Sequence, residues 1–186
     1  MMNRDETRTS EAANTEQRSR ESVSDAVDSA TATAFHEAGH AVVAFSFGCQ
    51  IKKVTITPGH DWLGQYRLGL CELQQGRSAN ARNRLDEQVV ILFAGMVAEA
   101  HFMGRSCEHA ASDDLRVIRR LLCDRAGSEK QHEKLHRRLL ARTEHLMEDD
   151  GIELAVKMIA DELLQKQTIS GRAVRHFYDQ AMQQTS

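Results

Sequence analysis

The spacing of apolar residues changes several times along this chain, and each change marks an element. Up to about residue 30, Ser, Thr, Glu, Asp, Arg and Asn predominate with hardly a large apolar side chain. Burial there cannot offset the entropy of ordering, so residues 1–30 are expected to form a disordered or weakly helical tail. Beyond it the pattern becomes densely apolar as far as Phe47. Either Thr31 or Thr33 is placed to cap a helix over this stretch, and Gly48 is its natural stop. Ile51 to Thr57 then alternates apolar and polar with β-branched residues, which predicts a strand with one buried face, ended by Pro58-Gly59. Trp62 to Leu73 carries Gly64 and Gly69 and alternates partially, predicting a second short strand that returns against the first.

Helical spacing takes over from there. Asn83 to Gly104 is apolar nearly all round in its middle, as a helix central to the core would be. Val117, Ile118, Leu121 and Leu122 follow at helical spacing, with Ser112 as the expected N-cap of their helix. Glu129 to about Glu148 and Gly151 to Lys166 read as a long helix or a pair, and Ser170 is placed to cap a last one. The expected fold is therefore α+β and predominantly helical, a single domain over residues 31–186 with a small two- to three-stranded sheet.

Composition narrows the function classes. Over 186 residues the formal net charge is −3, so no basic footprint for nucleic acid exists. The four cysteines form no C-x-x-C pair, which suggests free thiols in a reducing compartment. The longest apolar runs, Ala41 to Cys49 and Val89 to Ala98, fall short of the roughly 20 residues that a membrane span needs. The N-terminus lacks the apolar segment of a signal peptide, and a cytoplasmic location is expected.

Candidate chemistry is concentrated in Phe35-His36-Glu37-Ala38-Gly39-His40-Ala41, an H-E-x-x-H motif in an apolar setting. Histidines four apart on a helix share a face, so His36 and His40 can offer nitrogens to one cation with Glu37 beside it as a base. A second copy, His132-Glu133-Lys134-Leu135-His136, lies among charged residues and reads as solvated helix surface. A third ligand has to come from elsewhere. Asp113 and Asp114 are the leading source, although both would also complement a helix macrodipole beside Ser112. Glu99 is the rival, as a ligand or as a partner to a ligating histidine. Cys107 and His109 read as loop residues, while His60 and Trp62 either border the cleft or pack a turn.

Four segments in one order carry a family resemblance. They are Phe35 to Ala44, Val54-Thr55-Ile56-Thr57-Pro58 with Leu63-Gly64, Phe93-Ala94-Gly95-Met96-Val97-Ala98-Glu99-Ala100, and Ala111-Ser112-Asp113-Asp114-Leu115. Together they resemble the peptidase domain of the FtsH-type ATP-dependent zinc proteases, over roughly Thr33 to Arg125, with weaker similarity in the final helices. The resemblance implies a zinc-peptidase helical domain in which His36, His40 and Asp114 hold Zn2+ and Glu37 is the general base. Asp113 stands where that family usually has asparagine, which leaves open whether it shares or perturbs the metal. The implied activity is endopeptidase cleavage of unfolded or flexible polypeptides, with a substrate strand laid along a sheet edge near Leu63 to Arg67. The chain shows no phosphate-binding G-x-x-x-x-G-K-[ST] loop, so a stand-alone peptidase is expected, served by a separate ATPase in trans. Homo-oligomers are a further implication. The competing expectation is a non-catalytic metal-binding adaptor or regulatory module of the same family.

Overall fold

The computed structural model describes residues 28–60, 64, 66–74, 84–104 and 108–186. Helix α1 occupies residues 28–46 of that set. Four short strands follow: β1 (Ile51–Thr55), β2 (Gly59–His60), β3 (Tyr66–Arg67) and β4 (Leu70–Leu73). Then come α2 (Arg84–Met103), α3 (Glu108–Arg125), α4 (Glu129–Met147), α5 (Asp150–Lys166), β5 (Thr168–Ser170) and α6 (Gly171–Thr185). The fold is predominantly helical α+β, as the hydrophobic pattern predicts. The tail lies mostly outside the described residues, so its expected disorder has no counterpart here.

Helix α2 forms the spine of the core, with Val89, Val90, Phe93, Ala94 and Ala98 fully buried. Helix α1 crosses it at very close range, because Gly39 faces the Ala94 carbonyl: a Cβ there would lie 2.4 Å from that oxygen and 2.7 Å from Ala98 Cβ. Phe35 stacks on Phe102 with ring centroids 4.5 Å apart, fixing the other end of the crossing. Asp86, near the start of α2, takes Arg125 from the end of α3 and, at 2.8 Å, Arg138 from α4. One carboxylate therefore ties three helices together.

The sheet is three-stranded in the order β4-β1-β5 and antiparallel throughout, while β2 and β3 pair separately as a hairpin. Strand β1 departs from strict alternation because its register shifts between Ile51 and Lys53, which leaves Lys52 and Lys53 both exposed and both near Glu72. The expected return strand is present as two pieces, β3 and β4. Strand β5 is an addition to the expected architecture. Its one inward residue, Ile169, pairs with Val54, and three residues are too few for alternation to register in a sequence.

Cap expectations divide. Ser170 caps α6 by accepting from the Ala173 amide at 3.4 Å, and Gly48 follows α1 with φ of 78°. Thr31 and Thr33 are instead interior to α1, where the Thr33 hydroxyl donates to the Ser29 carbonyl at 2.9 Å. Ser112 is likewise inside α3, which already begins at Glu108. The extra turn ahead of Ser112 moves Asp113 and Asp114 away from the helix terminus. Gly39→Ala should lower stability by about 1–3 kcal/mol, because the new methyl group meets a carbonyl that cannot move without shifting α2. Urea unfolding followed by circular dichroism would measure it.

Candidate metal centre

Helix α1 brings the motif histidines inward together, with His36 4% and His40 8% exposed. Their rings meet edge to face, centroids 4.6 Å apart. The third donor arrives from α3. Asp114 Oδ2 lies 3.0 Å from His36 Nε2 and 3.0 Å from His40 Nε2, and the three donor atoms all fall within 4.8 Å of one another. Among the described residues this is the one group of three such side chains able to hold a metal ion.

The second nitrogen of each ring faces an acceptor. His40 Nδ1 donates to the Ile91 carbonyl at 2.7 Å, and His36 Nδ1 faces Glu99 Oε2 at 3.4 Å. Those contacts turn the Nε2 lone pairs toward the Asp114 carboxylate, acceptor against acceptor, unless a positive charge lies among them. A proton or a metal cation can supply it. In the absence of metal the proton answers: burial would lower the His36 pKa, but Asp114, Glu99 and Glu37 outweigh it and push His36 up to about 10. Burial would likewise raise Asp114, yet His40 and His36 hold it well below the usual carboxylate range. Two imidazole nitrogens and one carboxylate oxygen form a donor set suited to a tetrahedral divalent ion with one position left open. Their 3.0 Å separations come close to the about 3.3 Å edge of a tetrahedron with 2.0–2.1 Å bonds.

Backbone shape makes room for the cluster. A Cβ on Gly95 of α2 would sit 2.6 Å from His40 Nε2 and 2.7 Å from His36 Nε2, so only glycine leaves the donor atoms clear. Glu37 is 7% exposed and occupies the same pocket. Burial raises its pKa against the pull of His40 and His36, with Asp114 adding to the rise and Arg67 opposing it. Cys71 on β4 also lies in this region, and burial, followed by the charge of Glu37, pushes its thiol far up.

The remaining candidates are resolved by position. Asp113 points to solvent and pairs with Arg116 at 3.0 Å, away from the donor cluster. Neither it nor Asp114 lies in the first turn of α3, which removes the macrodipole reading for both. Glu99 is 1% exposed and stands behind His36, as a partner to a histidine and not as one of the three clustered donors. His132 and His136 depart from expectation. They are half-buried on the inward side of α4, and His136 lies edge-on to Phe93 with centroids 5.0 Å apart, since the apolar stripe through Leu135 and Leu139 turns that face toward α2. No third donor joins them among the described residues. His60 packs edge-on against Tyr66 in the β2–β3 hairpin. Trp62 and Cys107 lie outside the described residues, as does the side chain of His109.

Sequence reasoning did not foresee the contacts that Gly95, Gly69, Arg67 and the Ile91 carbonyl make around the site. Gly95 alone left a signal, as a glycine in the middle of an otherwise apolar helix. Among the described residues no helix is long and apolar enough to cross a membrane.

Two measurements test the centre. Gly95→Ala should weaken metal affinity by at least about 10-fold while leaving helicity intact, as read by metal analysis beside circular dichroism. Metal binding at pH 8 should release about one proton per ion, because His36, with its pKa of about 10, is protonated there without metal. Calorimetry in buffers of different ionisation enthalpy would detect the proton, and its absence would remove His36 from the ligand set.

Residues 23–125 match the sequence model of Peptidase family M41, and the chain belongs to that family. No curated protein matches the chain.

Proposed function

From membership in peptidase family M41 we propose that this protein is a zinc-dependent endopeptidase that hydrolyses peptide bonds in unfolded or flexible polypeptides. His36, His40 and Asp114 hold the zinc, and Glu37 is the general base. The observation that carries this reading is the meeting of three donors from two distant helices beside a buried glutamate, with His36 and Asp114 standing 78 positions apart in the chain. When bound, zinc supplies Lewis acidity, polarising the scissile carbonyl and making water nucleophilic near neutral pH.

The chain's own residues do the rest. The Ile91 carbonyl holds the His40 imidazole in the tautomer that turns Nε2 toward the metal position, and the Glu99 carboxylate, facing His36 Nδ1, favours the same tautomer there. The Glu37 carboxylate accepts the proton of the attacking water and returns it to the leaving amine nitrogen. Its burial raises its pKa toward the working pH, where a base and its conjugate acid are both effective. Extended substrate lies along an edge close to Tyr66–Arg67, paired through backbone groups and so tolerant of sequence. Such a substrate is locally unfolded on its own or delivered by a separate ATPase acting in trans.

Glu37→Gln is expected to retain zinc and to lose unfolded-protein hydrolysis by at least about 100-fold. Asp114→Ala should lose both zinc and hydrolysis. Metal analysis run beside cleavage of an unfolded casein would check the pair. Full activity in Glu37→Gln would refute the assigned base.

A further inference from the structure

Among the described residues, Arg67 is a cation near this centre that the proposed mechanism leaves without work. Its Nε and Nη1 atoms are buried and have no hydrogen-bond partner among the described residues. It lies opposite Gly59 in the β2–β3 hairpin, and the guanidinium runs along that glycine: a Cβ there would be 3.8 Å from Nη2. Two residues further on, Gly69 packs directly onto the Glu37 carboxylate, where a Cβ would fall 2.5 Å from Oε1. The charge of Arg67 acts on Glu37, yet the two form no direct ion pair.

An arginine side chain keeps its charge at any working pH, and its buried N–H groups carry a desolvation cost until an acceptor reaches them. Glu37 does not meet that need, and the described neighbours offer no other acceptor to these atoms. We propose that Arg67 is a carboxylate-binding subsite beside the scissile position, receiving the side-chain carboxylate of an Asp or Glu, or the free C-terminal carboxylate, of the polypeptide being cleaved. This rests on the peptidase reading above and adds substrate specificity to it. A planar guanidinium matches the two-oxygen anion that a polypeptide carries. A single guanidinium on a chain of net charge −3 suits one such group better than a polyphosphate backbone, which takes a basic stripe.

The test uses the full zinc-loaded chain and matched fluorogenic peptides that differ only in Glu against Gln, or Asp against Asn, near the cleaved bond, each with a free or an amidated C-terminus. A carboxylate should raise kcat/KM on the order of 10- to 100-fold over its amide, the range of one charge-assisted hydrogen-bond pair. The arm that shows the preference identifies the source, side chain or C-terminus. In Arg67→Gln the acid-over-amide ratio should fall to near one, with Arg67→Lys in between. Equal kcat/KM for charged and neutral peptides in the wild-type chain overturns the proposal without reference to any variant. The same peptides are also titrated by fluorescence anisotropy into zinc-loaded Glu37→Gln, with and without Arg67→Gln. If the wild-type chain cleaves none of them, the peptidase reading fails, and this binding arm still decides on Arg67. A carboxylate preference that Arg67→Gln abolishes supports the subsite, and equal affinities overturn it.

Discussion

The approach of α1 onto α2 is the constraint from which the rest follows. Helices ordinarily pack with axes 8–10 Å apart, held off by side chains, and closer crossings need glycine at the contact. Gly39 supplies it on one helix and Gly95 on the other. The first lets α1 rest on the Ala94 carbonyl, and the second leaves a hollow in α2 into which the two imidazoles project. A larger residue at position 39 would separate the surfaces that create the cluster, and one at position 95 would enter the space of the donor atoms themselves.

The buried charges make sense only on that scaffold. Two imidazoles and two carboxylates, His36, His40, Glu37 and Asp114, share a pocket from which most water is excluded. Burying so many polar groups opposes folding unless each is matched, and here the match is incomplete without a cation. The raised His36 and the depressed Asp114 describe the same deficit, one group gripping a proton and the other refusing one. A divalent ion relieves both at once.

Legibility in the sequence followed the reach of each signal. Long helices with strong apolar periodicity, such as Arg84–Met103 and Asp150–Lys166, were placed within a residue or two. The H-E-x-x-H spacing exposed His36, Glu37 and His40 because a helix turns local spacing into shared direction. Asp114 could be set apart from Asp113 only through resemblance, because nothing local distinguishes the two. The two differ by their position around α3, which depends on where that helix begins. Glycine roles were hidden for a related reason: a missing side chain has meaning only against the atom that would collide with it. The inward stripe of α4 that half-buries His132 and His136 is masked in the sequence by charged neighbours, and strand β5 leaves no local signal because its pairing partner lies more than a hundred residues away.

The separation of the donors along the chain also bears on how the centre comes into being. An unfolded or partly made chain holds His36 and His40 as a neighbouring pair, enough for loose and exchangeable contact with a cation, while the carboxylate that completes the grip waits on the docking of α3. Asp86, clasping the far end of α3 through Arg125 and also holding α4, makes that docking depend on helices still later in the sequence. A cation held by all three side chains would therefore report a finished tertiary structure, because the pair on α1 cannot by itself supply the third donor.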